Sequence, residues 1–163
     1  MSAVGLALRN LAFTVVVPGA GGGYVPWLIL TRHGARPAPS GWYAAPVIGA
    51  GIVLYLWCVW EFSVVGRGTP GIWDPPRTVV AAGPYRWVRN PIYLAALLIV
   101  GGEAGLFRSA ALLGYAAALA ACFHLLVTGY EEPRLRARFG PPYEAYQRAV
   151  GRWRPRRPPA RAS

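Results

Sequence analysis

Between Pro91 and Tyr130 the chain carries only two formal charges, Glu103 and Arg108, in forty consecutive residues. A helix that crosses a bilayer needs roughly 17–25 predominantly apolar residues. This length therefore holds two spans and little else: Pro91 to Phe107, and Ser109 to Tyr130. Arg108 and its immediate neighbours are the whole connection between them. The two segments are expected to form a tight antiparallel helical hairpin, so the chain just before Pro91 and just after Tyr130 should meet on one side.

Two further apolar segments precede the hairpin. Trp42 to Trp60 has no formal charge at all. Leu11 to Leu30 is interrupted by Pro18, a glycine cluster and Pro26. It reads as a retained, broken helix rather than a signal peptide, because its basic flank would hold only Arg9 and no small-x-small cleavage site closes a compact apolar core. Proline and glycine are tolerated in membrane helices whose neighbours satisfy the freed backbone groups. The expected fold is all-α: a multi-span integral membrane bundle of about four helices, with a C-terminal cytoplasmic amphipathic segment. Composition agrees, at 55% hydrophobic and 14% charged residues against a usual ~45–50% and ~25%.

The net charge of +11 comes from arginine alone, since the chain has no lysine. A nucleic-acid binder clusters its cations on a soluble face, whereas here they lie between and after the apolar segments. Four spans place fourteen of the seventeen arginines on one side and leave Arg32, Arg36 and Arg108 on the other. By the positive-inside rule, both termini and the middle loop Phe62 to Asn90 face the cytoplasm, as in a bacterial inner membrane. The chain is expected to be a single domain: N-terminal spanning helices over 1–62, a loop, hairpin and C-terminal helix over 63–155, and a disordered proline–arginine tail over 156–163. That tail suits contact with anionic lipid.

Several tempting motifs fail. PGAGGGY has tyrosine at position 24 where G-x-G-x-x-G needs glycine, and no strand precedes it. Cys58 and Cys122 are isolated in apolar segments, which implies neither a disulfide nor a zinc site, and no metal-ligand cluster stands out. Glu61 reads as a helix end, and Glu103 as a residue reaching the opposite interface.

The residues suited to chemistry lie at the open end of the hairpin. GPYRWVRNPIY, residues 83–93, puts Arg86, Arg89 and Asn90 at the entrance of one span, with Tyr85, Trp87 and Tyr93 beside them. Glu131 and Glu132 close the other span, and Pro133 follows at once. Proline fits best in the first turn of a helix, so a kink is expected there. His124 lies seven residues before Glu131, at almost the same helical angle. An intramembrane histidine is a functional candidate. Arginine offers a bidentate grip on a carboxylate, glutamate takes an ammonium or ribose hydroxyls, and aromatic rings stack on a base. Simple ion pairing between helix ends, with Glu132 and Arg136 at i,i+4, accounts for the same charges without a ligand.

The elements GPYRWVRNPIY, YEEPRL and RFGPPYEAYQRAVGRW-P together resemble the isoprenylcysteine carboxyl methyltransferases and their relatives, the membrane phospholipid N-methyltransferases. The likeness runs from about Gly66 to Pro155. It implies a helical membrane methyltransferase whose last hairpin and C-terminal segment enclose S-adenosylmethionine, with a lipid-side opening for a small lipophilic acceptor. Carried over by position, Arg89, Asn90, Pro91 and Tyr93 match the family's R-[HN]-P-x-Y element. Glu131 and Glu132 match its paired glutamates, and Tyr143 and Tyr146 its Y-x-x-Y. Tyr85 joins these as a cofactor contact, while Arg89, Glu132 and His124 are the catalytic candidates. Asn90 stands where the carboxyl methyltransferases commonly have histidine, as in the phospholipid branch, and Ala95 replaces a frequent glycine. A non-catalytic membrane protein that binds lipid or a partner through its basic tail is the competing class.

Overall fold

A computed structural model describes residues 18–66 and 79–156. The expectations for 1–17, for residues 67–78 of the middle loop and for 157–163 lie outside the described residues. Within them the chain is all-helical, without a strand: α1 (Val25–Arg32), α2 (Ala45–Glu61), α3 (Pro91–Leu106), α4 (Ala110–Leu126), α5 (Glu132–Phe139) and α6 (Pro141–Ala149).

Two helical runs are long and apolar enough to cross a membrane: Pro39–Val64, 26 residues built around α2, and Ala110–Phe139, 30 residues continuing α4 into α5. The apolar α3 has 16 residues, about 24 Å of rise. Large apolar side chains cover the outside of α2 and α4: Val53 is 65% exposed and Leu125 68%. Water penalises such faces, and hydrocarbon does not. Trp42 and Tyr43 at one end of the first run and Trp57 and Trp60 at the other are also exposed. Trp42 and Trp60 stand roughly 27 Å apart along a helix axis, close to the ~30 Å of a hydrocarbon core flanked by aromatic belts.

α2 and α3 pack through small residues. A Cβ on Gly51 would lie 2.8 Å from Ile99 and 2.9 Å from the carbonyl of Ala95, and one on Gly102 would lie 2.6 Å from Ile48. Ala95 itself is fully buried. Where the surroundings are as apolar as leucine, close backbone approach through small side chains is what holds helices together.

The hairpin turn forms as expected. Ser109 N bonds to Ala104 O at 3.0 Å and Arg108 N to Gly105 O at 3.3 Å, a Schellman closure with Arg108 at φ 46° in the usual glycine position. The Ser109 hydroxyl then caps α4 by accepting from Leu112 N at 3.3 Å. Glu103, near the far end of α3, is half-buried, with its Oε2 buried and without a hydrogen-bond partner.

The kink expected at Pro133 is replaced by a wider turn. Val127–Glu131 is π-helical, with the Glu132 amide bonded to Val127 O, so the chain stays helical from α4 into α5. The same device precedes Pro26, where Ala20–Tyr24 is π-helical and the Val25 amide bonds to Ala20 O. The first segment is accordingly helical, not broken, over its described part. A proline inside a regular helix presses its ring on the carbonyl four residues back, and a π-turn just upstream relieves that crowding. The real break comes at Gly140, whose φ of 58° suits glycine and turns α5 into α6.

Candidate functional site

Beyond α6 the chain runs as a strap, residues 150–156, across the loop that precedes α3. Val88 and Gly151 form an isolated parallel bridge. Arg89 N donates to Gly151 O at 2.8 Å, and Arg156 N to Trp87 O at 3.0 Å. Gly151 is required by its turn, because a Cβ there would stand 2.2 Å from Arg154 O. Asn90 sits at the N-cap of α3 but leaves the helix uncapped; its Nδ2 donates to Arg152 O at 3.2 Å. Pro91 then fills the first helical position, fully buried, where its missing amide costs nothing.

This stitching brings two arginines to one acid. Arg152 donates from Nε to Glu132 Oε1 at 2.7 Å and from Nη2 to Oε2 at 2.8 Å. Arg89 Nη1 lies 3.0 Å from Glu132 Oε1, with the two side chains 11% and 10% exposed. The second contact is Coulombic only: Arg89 Nε and Nη1 are buried with no hydrogen-bond acceptor. The paired acid raises the pKa of the Arg152 guanidinium. Tyr143, on α6, is buried against both Glu132 and Arg89. Burial first, and the Glu132 charge second, push its phenol up, so it keeps its proton. Arg136 Nη2 to Gln147 Oε1, 3.0 Å, braces α5 on α6.

Toward α3 and α4 from this ion pair lies an aromatic group. Tyr93 donates its hydroxyl to Glu131 Oε1 and stacks on Phe123 of α4, with centroids 4.5 Å apart. Trp153 of the strap lies 6.5 Å from the Tyr93 ring and donates its indole N–H to His124 Nδ1 at 3.2 Å. Accepting at Nδ1 leaves the imidazole proton on Nε2.

Arg89, Asn90, Pro91, Tyr93, Glu131, Glu132, Tyr143 and, through Trp153, His124 thus gather at the open end of the hairpin. Tyr85 and Tyr146 stand to one side. The Tyr85 ring is buried with Cys58 and Val80, edge-on to Phe62 at 5.3 Å. Tyr146 donates to the Tyr85 carbonyl at 2.8 Å, and its ring lies 6.1 Å from that of Tyr143, at the margin of the site.

Residues 40–141 match the family described as phospholipid methyltransferase. The chain belongs to the phospholipid methyltransferase family. Membership, together with two long apolar helices, makes it a membrane protein of methyltransferase type. The stretch that matches this family takes in α2, the hairpin and both glutamates, and stops short of Tyr143, Tyr146 and the strap. No curated protein and no solved structure matches the chain.

Three participants in this phospholipid methyltransferase family member are assigned no role by the sequence reading: Arg152, Trp153 and Phe123. Arg152 and Trp153 close the element RFGPPYEAYQRAVGRW-P, in which only the tyrosines were given a part, and Phe123 looks like any apolar span residue.

Proposed function

We propose that the protein transfers a methyl group from S-adenosylmethionine to a small lipophilic acceptor at the open end of the hairpin. Arg89 carries this proposal. A buried guanidinium with two nitrogens lacking an acceptor is costly unless a ligand supplies one, and a carboxylate such as that of the cofactor's methionine part fits it in charge and shape. Glu131, facing the site with only a tyrosine hydroxyl as partner, suits the cofactor's ammonium or ribose hydroxyls. Tyr93, Phe123 and Trp153 offer faces to the sulfonium.

The bound cofactor would supply an already electrophilic methyl carbon. The chain's own part is to hold the acceptor in line behind that carbon and to keep water out. An acceptor lone pair forms the new bond to carbon as the carbon–sulfur bond breaks and its electron pair stays on sulfur. An amine acceptor must also release a proton. His124, held with its proton on Nε2, presents a donor toward the acceptor, whereas Glu131 has the free lone pairs of a base.

In this proposal the first apolar segment, Leu11 to Leu30, crosses the bilayer with α2, α3 and α4, and α5, α6, the strap and both termini lie in the cytoplasm. The α4 face bearing exposed His124 and Leu125 opens to lipid and admits the acceptor. Calorimetry with detergent-purified protein tests the proposal: S-adenosylhomocysteine should bind at micromolar Kd, and R89A should weaken it by about 10–100-fold, the worth of a charged hydrogen-bonded contact. Folded protein that binds no S-adenosylhomocysteine is the outcome against it, and favours a non-catalytic lipid- or partner-binding role.

A further inference from the structure

Glu132 lies between two guanidiniums and treats them unequally. Arg152 takes both oxygens in a fork, at 2.7 and 2.8 Å. Arg89 is left with one Coulombic contact at 3.0 Å, and its Nε and Nη1 remain buried without an acceptor. A carboxylate this close to a single arginine closes on it bidentately. The Arg152 fork fixes the plane of the Glu132 carboxylate, and in that plane Arg89 comes within 3.0 Å of Oε1 alone, without the geometry of a hydrogen bond. Arg152 in turn is fixed from behind: its own carbonyl accepts from Asn90 Nδ2, and the preceding Gly151 carbonyl accepts from the Arg89 amide. The strap therefore sets Arg152, Arg152 sets Glu132, and the orientation of Glu132 decides how much of Arg89 is free.

We infer that Arg152 is a positioning residue: by engaging both oxygens of Glu132 it prevents an internal Arg89–Glu132 fork and reserves the Arg89 donors for the carboxylate of the bound ligand. This inference rests on the function proposed above. It assigns the strap a part in ligand selection, since a ligand without a carboxylate gains nothing from a free Arg89. Lysine at position 152 is no substitute, because a point charge cannot occupy both oxygens in a fixed plane.

The test compares S-adenosylhomocysteine with its decarboxylated analogue, S-adenosyl-3-thiopropylamine, by calorimetry on detergent-purified full chain. The wild-type protein should prefer the carboxylate form by about 30-fold, the value of a charge-assisted contact. In R152Q the preference should fall to about threefold or less, while the analogue's own Kd stays within about twofold and reports intact folding. Adding E132Q to R152Q should restore much of the preference, because a neutral amide competes poorly for Arg89; a merely structural role for Arg152 would not be rescued in this way. If R152Q does not purify folded, R152K serves, with a smaller fall in the same direction. Equal preferences in wild type and variants would overturn the role of Arg152 alone. No binding of either compound to folded wild-type protein would overturn the functional proposal beneath it.

Discussion

Arg152 grips both carboxylate oxygens of Glu132, twenty positions earlier in the chain, and so ties the strap to the first residue of α5. Replacing Glu132 by alanine leaves two guanidiniums facing each other with no anion between them. Removing one member of a buried pair costs roughly 3–5 kcal/mol; with Arg152 about one-third exposed, about 2–4 kcal/mol is expected for E132A. Thermal unfolding in detergent should show a Tm lower by several degrees. E131Q, which alters only the acceptor of the Tyr93 hydroxyl, should cost about 1 kcal/mol. Equal Tm values for the two variants would contradict the central place given to Glu132.

The contact of α2 with α3 leaves no room for side chains at Gly51 and Gly102, where a Cβ would meet Ile99 and Ile48. G51L and G102V should each destabilise by about 1–3 kcal/mol through overpacking. Gly49 and Gly114, with nothing within 4 Å of an added Cβ, are the controls. G49A and G114A should be neutral, or more stable by up to about 1 kcal/mol from helix propensity. Detergent-melting curves of the four variants separate tight packing from a general intolerance of glycine replacement.

How far the sequence carries differs between these parts. The hairpin was legible because two apolar lengths around Arg108 leave the chain no other course, and its closure put Arg89 beside Glu132 as expected. Arg152 was not legible: its place depends on the turn at Gly140 and on backbone bonds from Arg89 and Asn90, and none of these has a periodicity. The tyrosines divide for a similar reason. Tyr93 follows the α3 helical face to Glu131, but Tyr85 lies on a short 3-10 turn, and packing against Cys58 and Phe62 sends its ring into the core. The continuous helix through Pro133 was missed because propensity rules price proline in regular helices and take no account of a π-turn upstream.

Trp153 joins the strap to α4 through His124 Nδ1. W153F keeps an aromatic face near Tyr93 and removes only the donor. Its effect on S-adenosylhomocysteine binding should be within about threefold, the worth of a neutral hydrogen bond. W153A removes the face as well, and should weaken S-adenosylmethionine more than S-adenosylhomocysteine, because only the sulfonium gains from an aromatic ring. Parallel calorimetric titrations of the two ligands check this; equal losses for both would place Trp153 away from the sulfur.

The π-turn at Val127–Glu131 sets the angle at which Glu131 and Glu132 leave α4, and Pro133 stands two residues past it. Alanine at 133 supplies the missing amide and removes the ring that crowds Gly129, so a regular helix becomes available through this stretch. Converting the wide turn to an ordinary one would rotate the residues beyond it by about 100°, one residue's worth of helical angle. Glu132 would then swing off Arg152 and Arg89. P133A should therefore bind S-adenosylhomocysteine about tenfold more weakly while its helix content by circular dichroism stays the same or rises. Unchanged binding would mean that the Arg152–Glu132 fork, rather than the proline, holds the turn open, and the double variant P133A/R152Q would then show the loss that P133A alone did not.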